Sequence, residues 1–353
     1  MKTADGGLIV IGENFNTTRK IKATSPKVVR DGKKVGIGYV DLEGHKKVLD
    51  VTRLVPADPE AAKTFMIPHI AEACRQKDLS YISWAIKDQE RHGAHIIDVC
   101  VDELSVYPEE RMEWMRWIVK TAQHITDAII AIDSSDSNTI KAGLEVHDSS
   151  KSKPAINSLN LERGREVLAD TARERKALLF ANASGSTRMP QSADERIENL
   201  VRCMDLMDRA GIPVADRFLD PLVFPIGAGP AFGMDYLDAV RELRKRYADV
   251  HIFGGHSNVS FGLPDRQLLN QTFVGMSVLA GADTAMIDPI MNSPKELNDF
   301  RFAANALSGA DEYSMQYLKY VRSLASSAPK NSTDRLPRGA IPYSTVNREE
   351  ANP

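Results

Sequence analysis

Residues 128–136 read AIIAIDSSD, a short apolar run stopped by a carboxylate at Asp133. A run of this kind marks a parallel strand buried on both faces that reaches a functional end. Three further runs stop the same way: KPAINSLN (153–160) at Asn157, DRFLDPLVFP (216–225) at Asp220 and VHIFGGHSNVSFG (250–262) at Asn258. The four polar ends are 24, 63 and 38 residues apart. Eight βα units in about 250 residues average roughly 31 residues each. The four therefore fit the ends of strands 3, 4, 6 and 7 of a (β/α)8 TIM barrel, and would converge on the face where active sites sit.

Working outward, eight runs are plausible strands: Leu8–Ile11, His95–Val99, Ala128–Ile132, Pro154–Ile156, Ala177–Phe180, Arg217–Leu219, Val250–Phe253 and Thr284–Ile287. Between them lie segments with helical spacing and charged faces, such as EERMEWMRWIVKTAQHI and MDYLDAVRELRKRYA. Several close on Ala-Gly or His-Gly just before a strand, the expected helix C-terminal punctuation. This alternation predicts the α/β class and a barrel. An open doubly wound sheet would alternate in the same way.

One segment breaks the rhythm. Residues from about 21 to 68 include VVRDGKKVGIGYVDLEGHKKVLDVTRLVPADPE, with Asp31-Gly32 and Glu43-Gly44 punctuating short β-rich pieces. Asp-Gly between such runs is a hairpin signal. The segment is expected to be a β-rich insertion after strand 1, on the face of the polar ends, serving as a surface flap, dimer contact, lid or partner-docking element. The barrel is expected to span residues 1–325, with the polar, Pro- and Ser-rich end 326–353 as an arm or tail.

Composition narrows the classes. The 353 residues carry 45 Lys and Arg against 48 Asp and Glu, a net charge of −3 with no block of one sign. Neither nucleic acid nor an anionic membrane is expected as the main partner. No apolar stretch approaches the roughly 18 residues of a spanning helix. The first residues, MKTADGGLIVIG, lead into a strand too soon for a signal peptide. Cys74, Cys100 and Cys203 are scattered without a C-x-x-C pair, which suits a reducing, cytoplasmic compartment.

The polar ends point to a ligand class. Carboxylates in a partly dry pocket require charged or multiple donors to offset desolvation, while Asn supplies both a donor and an acceptor. Two Asp and one Asn complement the edge of a pterin, whose 2-amino group and N3–H are adjacent donors flanked by ring acceptors. Each Asp taken alone has a plainer use, since DSSDS at Asp133 would also cap a helix. The joint spacing is what puts all four on one rim.

Five ordered motifs carry a resemblance: IGENFN (11–16), IAIDSSD (130–136), AINSLNLERG (155–164), FLDPLVFP (218–225) and SNVSFGLPDRQLLNQTF (257–273). The chain resembles the pterin-binding methyltransferases, namely the methyltetrahydrofolate:corrinoid methyltransferases and the folate domain of cobalamin-dependent methionine synthase. The match runs from residue 8 to about 310 outside the insertion. The resemblance implies a (β/α)8 barrel, a homodimer, and methyl transfer between N5 of tetrahydrofolate and the cobalt of a corrinoid, in either direction. It implies that Asp133, Asn157 and Asp220 hold the pterin ring and that Asn258 acts at N5. Glu13 and Asn16 match the first-strand motif, Asp98 is the second-strand acid, and Arg266 matches a basic residue near the mouth. The implied substrates are tetrahydrofolate and 5-methyltetrahydrofolate, the implied partner is a separate corrinoid protein, and no metal ligand set is implied.

The sequence also departs from that pattern. The family often has an Asn two residues after the second-strand Asp, where this chain has Cys100, and His256 fills a slot where small or apolar residues are more common. Both are expected to be packing residues. Dihydropteroate synthases share the barrel, but their basic motif is missing from GGHSNVSFG and AMIDPIMNS. A glycosidase needs paired acids, whereas strands 4 and 7 end in amides. Two other readings stay open: a zinc-dependent methyl donor:corrinoid methyltransferase using Cys100, His256 and Glu103, and a non-catalytic folate-binding subunit.

Overall fold

A computed structural model describes residues 7–327. Eight strands form one parallel sheet: β1 (Ile9–Asn16), β2 (Ile96–Cys100), β3 (Ile129–Asp133), β4 (Ala155–Leu159), β5 (Leu178–Asn182), β6 (Arg217–Asp220), β7 (His251–Ile252) and β8 (Thr284–Ile287). Their order is β7-β6-β5-β4-β3-β2-β1-β8. The two ends meet. Gly255 pairs in parallel with Met286, and the Met286 N–H donates to the Gly254 carbonyl at 3.2 Å. The sheet is thus a closed barrel, and the open-sheet alternative falls.

The strands lie where expected, and two differences in their bounds bear on the site. β1 runs on to Asn16 rather than ending at Ile11, which carries Glu13 and Asn16 to the barrel rim. β7 is only His251–Ile252, shorter than the expected Val250–Phe253. The cause is the glycine pair that follows: a Cβ on Gly254 would lie 2.8 Å from Val223 Cγ2 and 2.9 Å from the Tyr236 ring. A bare backbone is required for that approach.

Side-chain alternation along each strand divides the core in two. Ile9, Ile11, Ile96, Ala131, Ala155, Leu178, Phe180, Phe218 and Phe253 fill the barrel interior, while a larger cluster packs the outer strand faces on the helices. Phe180, Phe218 and Phe253 form the bulk of the inner layer, with ring centroids 4.9 to 6.4 Å apart. Each such pair adds offset or edge-to-face attraction to its area burial. The helices close as their sequences predict. Gly211 and Gly281 take φ of +72° and +116° and donate back to the last turn, the left-handed cap that glycine adopts without steric cost.

The insertion differs from expectation. Its stem, Ile21–Lys22 paired antiparallel with Met66–Ile67, stands at the mouth. Its three-stranded meander, Val28–Asp31, Lys34–Val40 and Lys46–Asp50, lies instead against the outer helices His69–Gln76 and Leu79–Arg91. Tyr39 packs on Tyr81 and Trp84 at 4.9 and 5.4 Å, and Arg53 forks onto the buried Glu72 at 2.8 and 2.9 Å. The meander is therefore a buttress on the barrel wall and not a cover over the mouth. The Gly32 turn does form the expected hairpin, with Asp31 opposite Lys34.

The chain divides into two compact units, Met1–Arg301 and Phe302–Pro353. The barrel and the insertion belong to the first; the expected boundary near 325 lies inside the second. In the second, Phe302 stacks on Tyr320 at 4.2 Å, and a helix spans Met315–Ser327. All but the first two residues of the expected tail 326–353 lie outside the described residues. Among the described residues no helix is long and apolar enough to cross a membrane.

Candidate active site

The alternation that fills the barrel interior also builds the site. Two residues beyond an inward apolar side chain, the next inward position is polar on six strands: Ile11 to Glu13, Ile96 to Asp98, Ala131 to Asp133, Ala155 to Asn157, Phe180 to Asn182 and Phe218 to Asp220. The apolar layer is the floor and the polar residues form a ring above it. Over the ring opens a cavity of about 630 Å³ lined by Glu13, Asn16, Asp98, Asp133, Asn157, Ser257, Asn258 and Arg266, with Arg19, Met66, Phe261 and Met286 on its walls.

Seven of the eight residues expected at the site from sequence thus line one cavity. Asp220 is the exception. It ends β6 opposite Asn182, its Oδ1 accepts the Leu222 N–H at 2.8 Å, and it is absent from the cavity wall. The buried Arg196 backs this corner, packing over Phe224 at 4.8 Å and donating to the Ser192 carbonyl at 2.9 Å.

The ring is acidic and dry, and its titration follows. Burial pushes the Asp133 carboxyl up to about 7, the nearby Asp102 charge adds to this, and hydrogen bonding with Cys100 and the charge of Arg165 oppose it. Burial, and then the charge of Asp133, raise Asp98 well above the ordinary carboxylate range. Burial takes Asp220 to about 7 against the Leu222 amide and Arg196. Glu13 is raised by burial although Arg19 and the Ser257 hydroxyl both stabilise its charged form. Desolvation is the first cause at all four, and it outweighs the arginines nearby.

Hydrogen bonds fix the ring. Asn157 Nδ2 donates to Asp98 Oδ1 at 3.0 Å, and Asn182 Nδ2 donates to Ser158 Oγ at 2.7 Å. Ser257 Oγ and Arg19 Nη2 both donate to Glu13 Oε1, at 2.7 and 2.6 Å. Behind the ring, Arg165 spreads its guanidinium over the carbonyls of Ser134, Ser135 and Ser158. Asp102 accepts both serine hydroxyls, Ser134 at 2.6 Å and Ser135 at 2.7 Å. These two charged residues hold the loops after β3 and β4, and so the aim of Asp133 and Asn157.

Asn258 stands on a short 3-10 turn, His256–Ser260, with its side chain exposed to the cavity. Arg266 anchors that turn through the Ser257 carbonyl at 2.7 Å and Ser260 Oγ at 3.0 Å. Asn16 Oδ1 accepts the Thr18 N–H and hydroxyl, shaping the turn that leaves β1. His256 is buried among Tyr236 and Phe273, and burial lowers it to about 4. Cys100 is buried too, its thiol raised well above the ordinary range by burial first. Among the described residues the group of three whose ligand atoms converge within 4.8 Å is Asp41, Glu43 and His45 on the insertion; Cys100, His256 and Glu103 form no such group.

Sequence reasoning missed Asn182, Arg19 and Ser257. Asn182 had a signal, since it sits at the position after Phe180 that the period of two assigns to the ring. Arg19 and Ser257 had none, because both reach Glu13 through tertiary turns.

A site of buried carboxyls, flanking amides and few free cations is built for a ligand that brings its own N–H donors. The sequence profile of the pterin-binding enzymes matches residues 70–288. A methylcorrinoid:tetrahydrofolate methyltransferase of Eubacterium limosum is 28% identical over 263 residues, which cover 72% of this chain and 92% of that protein. The methionine synthase of Mycobacterium tuberculosis is 32% identical over 216 residues, covering 57% of this chain but only 17% of its own length. In fold, a dihydropteroate synthase of Clostridium difficile, solved in the presence of pteroic acid, aligns with a TM-score of 0.54 at 15% identity. The alignment covers 86% of this chain and 99% of that one.

Proposed function

Because this chain belongs to the pterin-binding enzyme family, we propose that it moves a methyl group between N5 of tetrahydrofolate and the cobalt of a corrinoid held by a separate protein. The observation that carries this reading is the ring itself: desolvated Asp98, Asp133 and Asp220 beside Asn157, with an exposed Asn258 across the cavity. The similarity along 92% of a methylcorrinoid:tetrahydrofolate methyltransferase supports it.

The pterin's 2-amino group and N3–H donate to a carboxylate of the ring, and Asn157 matches the mixed donor and acceptor pattern beside them. Asp133, Asn157 and Asp220 are assigned to that edge, with Asp98 holding the Asn157 amide in the orientation that complements it. The corrinoid supplies the cobalt that gives or takes the methyl group. The chain's own work is alignment of N5 with the methyl carbon and management of charge at N5. As the methyl leaves, the bonding pair stays on N5, which takes up a proton from water, and a hydrogen-bond donor placed there lowers the barrier. Asn258 is assigned that donor role. In reverse the N5 lone pair takes the methyl and its proton departs to water, through the same geometry.

The test is to mix the protein with tetrahydrofolate and methylcobalamin or a methylated corrinoid protein, following the cobalt spectrum and the formation of 5-methyltetrahydrofolate. Binding of tetrahydrofolate without exchange from any corrinoid donor would sink the transfer reading and leave a binding subunit.

A pH dependence follows from the ring. The pterin donors require an ionised acceptor, whereas Asp133 and Asp220 are half protonated near pH 7 in the free protein. Tetrahydrofolate affinity should therefore rise between pH 6 and 8, by up to about tenfold per pH unit for each proton released, and level off above that range. Calorimetry in buffers of different ionisation enthalpy should register proton release below pH 7. A dissociation constant flat from pH 6 to 8 would contradict the assignment.

A further inference from the structure

A second cleft, of about 220 Å³, lies beside the mouth and shares Arg19 and Lys20 with it. Its inner wall is apolar, from Ile70, Trp84, Ile290 and Met291, and its lip adds a third cation, Lys27. All three cations come from the segment between the end of β1 and the first strand of the meander. They precede the stretch matched by the pterin-binding profile, which begins at residue 70.

Of the two carboxylates in this cleft, Asp288 is taken up by hydrogen bonds and Asp88 has the His92 ring beside it. Asp288 Oδ1 accepts from Asn14 Nδ2 at 2.8 Å and from the Ile290 and Met291 amides at 3.0 and 3.2 Å. Asp88 lies 3.4 Å from His92. Arg19 is spent on Glu13, but Lys20 and Lys27 have no carboxylate partner among the described residues. The positive field of Arg19 and Lys27 is felt inside the cleft: His69, hydrogen-bonded with the Tyr81 hydroxyl at 2.9 Å, is pushed down to about 3 by burial first and then by these two charges. Two unpaired ammonium groups over an apolar wall, opening from a pterin-sized mouth, fit an anionic chain that continues from the ligand in that mouth.

We propose that Lys20 and Lys27, on the segment between β1 and the meander, bind the glutamate tail of the folate and make this site selective for polyglutamylated over tail-less pterins. The assignment rests on the folate reading above. A folate tail bears α- and γ-carboxylates, and each added γ-linked glutamate brings one more. Partly exposed lysines can discriminate among such tails electrostatically, with salt weakening the effect.

The experiment measures equilibrium binding of three probes to the full-length protein: tetrahydrofolate monoglutamate, its triglutamate, and a tetrahydropterin lacking the p-aminobenzoyl-glutamate. The wild type should prefer the triglutamate. The K20Q/K27Q double variant should weaken triglutamate binding about tenfold and monoglutamate binding about threefold, and change tetrahydropterin binding by less than about twofold. The difference should collapse at about 0.5 M salt. Equal weakening of all three probes would overturn the tail assignment, as would no change with the triglutamate. Loss of transfer from a corrinoid protein with unchanged triglutamate binding would give the strip to the partner instead. A wild type that binds none of the probes would overturn the folate reading, and this one with it.

Discussion

Asp133→Asn is expected to abolish useful tetrahydrofolate binding while leaving the protein as stable as before, or more so. Asp133 projects from the end of β3 into the ring beside Cys100, its register neighbour on β2. An ionised carboxylate offers lone pairs to the two adjacent pterin donors, whereas an amide offers one acceptor and presents N–H against N–H. Losing a desolvated, charge-assisted pair costs on the order of 3 kcal/mol, about a hundredfold in the dissociation constant. Stability moves the other way. The Asp133 pKa is raised on folding from 3.8 to about 7, so the folded state binds more protons than the unfolded chain between those values. Ionisation therefore opposes folding as pH rises through that window and on above it. The amide removes the penalty without changing side-chain volume. Calorimetric binding and a thermal melt at pH 8 check both halves. A less than tenfold change in affinity, or a melting temperature lowered by several degrees, would contradict the account. Sites that hold uncompensated charge for a ligand commonly carry this opposition between stability and function.

How much of this was legible in the sequence depends on which force placed each residue. The strand ends were legible because burial on both faces of a parallel sheet leaves an apolar run with a sharp polar stop, as in AIIAID and RFLD. The inward direction of Asp98, Asp133 and Asn157 follows from the same alternation, since Ile96, Ala131 and Ala155 two residues earlier fill the barrel. Asn182 obeys this rule, two residues beyond the inward Phe180, and was missed because the expected strand was ended at Phe180. β1 was cut short at Ile11 because the polar stretch from Glu13 to Asn16 reads as a loop. In the fold it stays extended, as Gln89 accepts the Asn14 N–H at 2.9 Å.

The insertion shows where local reading stops. Its hairpin turns were plain from Asp-Gly and Glu-Gly, but the surface it covers is chosen by contacts far along the chain. Tyr39 meets Tyr81 and Trp84, and the Arg53–Glu72 pair ties the meander to the helix His69–Gln76. Such long-range pairings leave no periodic trace in either segment. The same holds for Arg19, which is turned back onto Glu13 when its N–H closes on the Asn16 carbonyl at 2.9 Å. At the mouth itself stand Arg19 and Lys20, just before the stem, and Met66 of the stem. The meander, for its part, lies on the barrel wall and does not cover the mouth.

Asn258→Ala should separate chemistry from binding. The side chain is exposed to the cavity, and the turn beneath it is held by the backbone and by Arg266: the Asn258 N–H closes on the Gly255 carbonyl at 3.1 Å, and Arg266 grips the Ser257 carbonyl at 2.7 Å. Truncation leaves those bonds in place, so the fold and the acidic ring should be unaffected. Tetrahydrofolate affinity should change by less than about threefold. An interaction that strengthens only as charge develops at N5 is worth on the order of 10² to 10³ in rate when removed. Transfer from a methylated corrinoid should therefore slow by about that factor at saturating folate. Asn258→Asp sharpens the test, because a carboxylate cannot donate to N5 but its protonated form can. The Asp variant should regain rate as pH falls from 7 to 5, a trend the wild type lacks at saturating folate. Single-turnover rates measured across that range check it. Equal losses of affinity and rate in the Ala variant would return Asn258 to ordinary ring binding, as would an Asp variant with no recovery at low pH.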